Sequence, residues 1–161
     1  ITEGGKKIKG IEKKLEFSAL KTITAFLNTE GGTLYIGIKD AKNTKNGKNE
    51  VVGIERDGFK TKDKYSLRIS NLGQLALDTT FELHTDINFI EHNNMTICEI
   101  KCEKAKSPAY LYHKHFDEDN KTSEDNKTND IPKEEIPYIR SGGSTRKPSY
   151  RSWVQWVKDN F

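Results

Sequence analysis

Apolar residues recur at Leu15, Ala19, Leu20, Ile23, Phe26 and Leu27, the spacing of one apolar face on an α-helix. That spacing predicts a helix over Glu12–Asn28, and Glu30-Gly31-Gly32 supplies its stop. The run Thr33-Leu34-Tyr35-Ile36-Gly37-Ile38 is apolar nearly throughout and predicts a buried strand. Val51-Val52-Gly53-Ile54 predicts a second. Tyr65, Ile69, Leu72 and Ala76 predict an amphipathic helix over Asp63–Leu77, with Asp63 as its cap. Strands at Ile87–Ile90 and Met95–Cys102, joined by a turn at His92-Asn93-Asn94, predict a hairpin. Ala109–Tyr112 and Ile136–Arg140 are two more expected strands. Ser149 is the expected cap of a last helix bearing Tyr150, Trp153, Val154, Val157 and Phe161 on one side. The order α-β-β-α-β-β-β-β-α predicts an α+β domain over residues 1–161, a mixed β-sheet flanked by helices.

Two tracts break this pattern. Residues 39–50 hold one Ala and no larger apolar residue, and are expected to form a hairpin-like loop. Residues 116–135 hold eight acids, three lysines and two apolar residues, and are expected to be a mobile, disordered acidic loop. These tracts change the meaning of the composition. The chain is 33% hydrophobic and 32% charged, poor in apolar residues for a globular protein, and without the two tracts the apolar fraction rises to about 39%, nearer a normal core. The net charge of +3 likewise divides into −5 on the acidic tract and +8 on the rest. The structured body is basic.

No apolar run approaches the about 20 residues of a membrane helix, and the start has no hydrophobic signal stretch. A chain opening on Ile1 rather than Met is expected to be processed, trimmed or a fragment. Two cysteines make no disulfide framework, which suggests a cytoplasmic setting. Cys98 and Cys102 on one strand would stand about 13 Å apart, too far for the about 7 Å limit of a disulfide, and are expected to be buried structural thiols. A zinc site joining one of them to His113 and His115 lacks the spacing that would support it. His84 and His92 are expected at the solvated surface. The glycosylation-type triplets at Asn94, Asn120 and Asn126 would go unused in the cytoplasm. No phosphate-binding G-x-x-x-x-G-K-[ST] loop is present, and no Ser–His–Asp set stands out.

Two motifs carry candidate chemistry. The Gly31-Gly32 pair, leaving a helix and entering a strand, could let backbone N–H groups approach an anion. The alternative, preferred on these residues alone, is a helix cap with close strand packing. The second motif is Tyr138 to Lys147, where a Gly142-Gly143 turn is flanked by Arg140, Arg146 and Lys147 and by the hydroxyls of Ser141, Ser144 and Thr145. A flexible surface turn would have the same glycines. The density of donors and the absence of acids favour phosphate contact.

In this order and spacing, "AFLNTEGGTLYIGIKD", "VVGIERD" and "YIRSGGSTRKPS" closely resemble the Schlafen/AlbA-like family. "KDKYSLRISNLGQL" and "ICEIKCEKAKSPAYL" fall where that family has a helix and a strand ending in a Ser-Pro step. The resemblance covers most of Leu15 to Phe161. It implies a nucleic-acid-binding domain, for DNA or RNA, of a bacterial or archaeal transcriptional regulator or defence protein, with further domains elsewhere. Its binding residues would be Gly31, Gly32 and the stretch Arg140, Ser141, Gly142, Gly143, Ser144, Thr145, Arg146 and Lys147.

Some relatives are RNA endonucleases, so the resemblance implies an alternative with Mg or Mn as cofactor and Asp40 as the matching catalytic and metal-binding residue. That site also needs two glutamates in an E-x-x-x-x-E-F-K strand. Here Glu12 and Glu16, the candidate partners of Asp40, are four apart rather than five, Ser18 replaces the lysine, and both fall on the first predicted helix. A scaffold that forms a homo-oligomer through its sheet edge or last helix is a further alternative. Divergent ATP binding is the weakest.

Overall fold

The computed structural model describes residues 3–112 and 135–161, and the side chains of the first helix from Leu15 onward. The acidic tract, His113, His115, Asn120 and Asn126 lie outside the described residues, apart from Glu135 at the tract's end.

The first helix, α1, runs Glu3–Leu27, so it begins nine residues before the apolar periodicity that predicted it. Its inner face buries Leu20, Ile23 and Leu27. After it, β1 (Gly32–Ile36) pairs with the central strand β5 (Met95–Cys102), and β4 (Thr85–His92) pairs along the other side of β5. Both pairings are antiparallel, with Leu34 and Ile87 opposite Ile100, and Ile36 and Phe89 opposite Cys98. Alternation therefore gathers these side chains on one face against the core formed with α1 and the second helix, α2 (Lys62–Leu77). On the other face the Tyr35 hydroxyl donates to Glu99 Oε1 (3.2 Å), which is polar decoration of a solvated surface.

The α+β class holds, with one correction to the sheet. Every pairing among the described residues is antiparallel, so the sheet is not mixed. The remaining described strands form three short two-stranded ribbons. The predicted strand Thr33–Ile38 divides at Gly37, whose φ of 101° turns the chain out of β1 into β2 (Ile38–Lys39). β2 pairs with β3 (Glu50–Val51) around the polar tract, Ile38 opposite Val51. The predicted continuation of β3 to Ile54 gives way to a single 3₁₀ turn at Glu55–Asp57.

Thr61 rather than Asp63 caps α2, its hydroxyl accepting from the Lys64 N–H. An unpredicted short helix, α3 (Thr79–His84), follows Asp78, which breaks α2 at φ 54°. Phe81 of α3 is buried in the core. The β4–β5 hairpin turns through Asn93 and Asn94 at φ 49° and 60°, the left-handed pair of a tight two-residue connection. β6 (Leu111–Tyr112) pairs with β7 (Glu135–Ile136), and β8 (Ile139–Ser141) with β9 (Ser144–Arg146). The last helix, α4 (Tyr150–Asn160), starts as expected on Ser149, whose Oγ accepts from the Ser152 N–H at 3.3 Å.

Candidate nucleic-acid interface

The β8–β9 hairpin turns through Gly142 and Gly143 at φ 56° and 77°, a pair of left-handed residues matched to the twist of the flanking strands. It rests on α1, where Thr22 Oγ1 stands 3.5 Å from Thr145 Oγ1. Arg140 is held in place. Its guanidinium lies 5.3 Å above the centre of the Phe26 ring, and donates to Thr145 Oγ1 (3.0 Å) and the Gly143 carbonyl (2.6 Å). Arg146 Nε donates to Ser144 Oγ (3.1 Å), and Ser144 Oγ donates to the Ser141 carbonyl (2.9 Å). Arg146 and Lys147 are exposed and Arg140 is half-buried. None of the three makes an ion pair among the described residues. Among the described residues the hairpin thus presents three cations, Arg140 and Arg146 held by hydrogen bonds, with no carboxylate paired to them, an arrangement suited to phosphate contact.

Gly31 and Gly32 sit differently. The Gly31 N–H donates to the Phe26 carbonyl (3.0 Å), closing the end of α1. A Cβ on Gly31 would lie 2.5 Å from the Cys102 carbonyl oxygen, and one on Gly32 2.6 Å from the Phe26 ring. Their geometry is that of a helix cap packed tightly on β5.

A buried side chain that the sequence did not single out ties these regions together. Asn28, fully buried, donates from Nδ2 to the carbonyls of Ala109 (2.8 Å) and Tyr138 (3.0 Å), and its Oδ1 accepts from the Ala109 N–H (2.7 Å). Its own carbonyl accepts from Trp156 Nε1 at 3.0 Å. One residue therefore fixes the entry to β8 and the position of α4 relative to the end of α1. The available signal was its place at the head of Asn28-Thr29-Glu30-Gly31-Gly32.

Glu16 and Asp40 line one cleft of about 680 Å³, bounded by α1, the β1–β2 bend, the 3₁₀ turn at Glu55–Asp57 and α2. Asp40 is exposed, and its Oδ1 caps the turn Ala41–Asn43 by accepting from the Lys42 N–H at 3.4 Å. Both carboxylate oxygens of Glu16 accept from Arg68 of α2, at 2.9 to 3.1 Å. Glu12 lies about one turn earlier on α1, and its side chain falls outside the described part.

A divalent ion needs several oxygen ligands on one point. Glu16 is already engaged by a guanidinium, and no group of three His, Cys, Asp or Glu among the described residues could hold a metal. The described residues therefore do not fit Mg or Mn. On the cleft wall, the Tyr65 hydroxyl donates to Asp57 Oδ2 (3.3 Å), and burial together with that carboxylate raises its pKa.

The cysteines are free and buried, and burial pushes both thiols up to about 12. His92 is exposed and His84 half-buried. No helix among the described residues is long and apolar enough to cross a membrane.

Comparison with known proteins bears on this arrangement. No curated protein matches the chain. Among solved structures it is similar to the DIP2311 protein from Corynebacterium diphtheriae, with a TM-score of 0.55 at 13% identity. At that identity the likeness is one of fold, and it covers 92% of this chain and only 22% of the DIP2311 chain. The family model described as Schlafen, AlbA_2 matches residues 5–149, from α1 through both Gly-Gly motifs to the cap of α4. The chain belongs to the Schlafen, AlbA_2 family.

Proposed function

We propose that this chain is a nucleic-acid-binding domain whose β8–β9 hairpin grips the phosphate backbone. The observation that carries this reading is Arg140. It is oriented by the Phe26 ring and by two hydrogen bonds within its own hairpin, beside Arg146 and Lys147, with no carboxylate among the described residues to neutralise them. A guanidinium already held in place loses less side-chain freedom when a phosphate arrives. The +8 carried by the chain outside residues 116–135 adds longer-range attraction. Membership in the family agrees with an association with nucleic acid. Such a module would serve within a larger regulator or defence protein, in the cytoplasm.

Phosphate contact predicts that log K falls by about 0.9 per duplex phosphate neutralised for each decade of salt. Arg140→Ala with Arg146→Ala should weaken binding about tenfold or more across all sequences and lower the salt slope by roughly 2. Fluorescence anisotropy with labelled duplex and single-stranded probes over a salt series measures both. Unchanged affinity in the double variant, or a salt-independent affinity in the wild type, defeats the assignment.

A further inference from the structure

The cleft adjoins the hairpin, and Thr22 belongs to both. It lines the cleft, and its hydroxyl stands 3.5 Å from Thr145 of β9. Among the described residues the cleft's charges cancel: Glu16, Asp40 and Asp57 are set against Lys39, Arg56 and Arg68. A polyphosphate there would face three carboxylates, and a metal dication would face three cations. Beneath this rim the walls are apolar, with Ile36 from the sheet and Ile69 and Leu72 from α2. Phe59 adds an aromatic ring, packed edge-on against Tyr65 with 5.0 Å between ring centres.

At about 680 Å³ the cavity is within the range of small-ligand sites, about 300–1,000 Å³. An apolar floor with a charge-balanced rim of donors and acceptors suits an uncharged, flat heteroaromatic ring whose edge carries hydrogen-bonding groups. A nucleobase has this chemistry, and it is accessible only when unpaired or flipped out. The rim groups are already fixed, Glu16 by the three hydrogen bonds from Arg68, and Asp57 by the Tyr65 hydroxyl.

We propose that the cleft receives one unpaired nucleobase of a strand whose phosphates lie on the β8–β9 hairpin, so that the domain favours strands with exposed bases over fully paired duplex. This rests on the phosphate-gripping reading of the hairpin. The same ring chemistry could arrive as a free mononucleotide, and the experiment separates the two sources.

The probes are a mixed-sequence single strand of about a dozen nucleotides, an abasic strand of the same length, and the four nucleoside monophosphates. The abasic strand keeps every phosphate and lacks every base. The wild type is expected to bind the base-bearing strand roughly tenfold more tightly than the abasic one. Ser18→Trp, at an exposed position on the cleft wall, should abolish that difference and leave abasic affinity unchanged. Arg146→Ala should weaken both strands by the same factor.

Equal affinity for the two strands in the wild type overturns the cleft proposal and leaves the hairpin reading standing. Loss of binding to both strands, with monophosphates still shifting the NMR resonances of Ile36 and Ile69, assigns the cleft to free nucleotide and overturns the strand proposal. Absence of every interaction overturns both readings. If Ser18→Trp fails to fold, the monophosphate titration of the wild type still decides, since shifts confined to residues away from the cleft count against it.

Discussion

The molecule contains two Gly-Gly pairs, and they have opposite roles. Gly31-Gly32 is closed in by its surroundings, with a carbonyl 2.5 Å and a ring 2.6 Å from where side chains would begin. Gly142-Gly143 has nothing within 4 Å. In the first pair glycine is demanded by space and by Gly31's φ of 79°, in the second by φ alone. A dipeptide that permits close approach to an anion permits equally close approach to a neighbouring strand. Which partner arrives is decided by tertiary packing. At Gly31 the partner is β5 and at Gly32 it is the Phe26 ring, whereas the exposed pair leaves Arg146 and Lys147 facing solvent.

The comparison breaks most readily at the packed pair. Gly31→Ala should cost about 3 kcal/mol or more, since the new methyl meets backbone rather than a movable side chain and φ is also strained. Urea unfolding measures it. A loss below about 1 kcal/mol would mean that β5 can shift away from α1, and the two pairs would then be alike. Asn28→Ala should follow at about 2–3 kcal/mol, because it strands two buried carbonyls and one N–H. It should also weaken nucleic-acid binding, since the hairpin's entry at Tyr138 loses its anchor. Gly142→Ala should cost only about 1 kcal/mol, the backbone term without the clash. Its nucleic-acid affinity should stay near wild type if the turn's cations, not its glycines, make the contact.

What could be read from the sequence follows the range of each interaction. α1, the β4–β5 hairpin and the Ser149 cap were legible because periodicity, turn residues and capping act within a few positions. The cation-bearing turn was legible for the same reason. Asn28 was not, since its partners lie 81 and 110 residues away. Nor was the cleft, whose defining pair, Glu16 and Arg68, is separated by 52 residues. Element order predicts a mixed sheet because it does not fix strand direction, and here α3 and tight turns return the chain antiparallel. The division at Gly37 was also hidden, because an apolar run through a glycine has the same composition whether the strand continues or bends.

The smallest expected effect lies on the strand against which Gly31 packs. Cys102, whose carbonyl confronts Gly31, and Cys98, four residues earlier on β5, are both buried, and burial raises each pKa from 9.0 to about 12. A group whose pKa is raised by folding contributes stability that is fully present below its unfolded value and is lost as pH rises toward the folded one. The window here runs upward from 9.0. Between about pH 8 and about pH 9 each thiol should therefore remove only a few tenths of a kcal/mol. Unfolding free energies from urea titration of the wild type and of a Cys98→Ala, Cys102→Ala variant should differ less at pH 9 than at pH 8 by the sum of the two losses. A thiol-reactive probe at neutral pH reads the same burial locally. Gly31→Ala should speed labelling of Cys102 by loosening the contact above it, whereas Gly142→Ala should leave the rate unchanged. Equal acceleration by both variants would mean that the two glycine pairs share one cooperative unit, and that the packed and exposed environments are not energetically distinct.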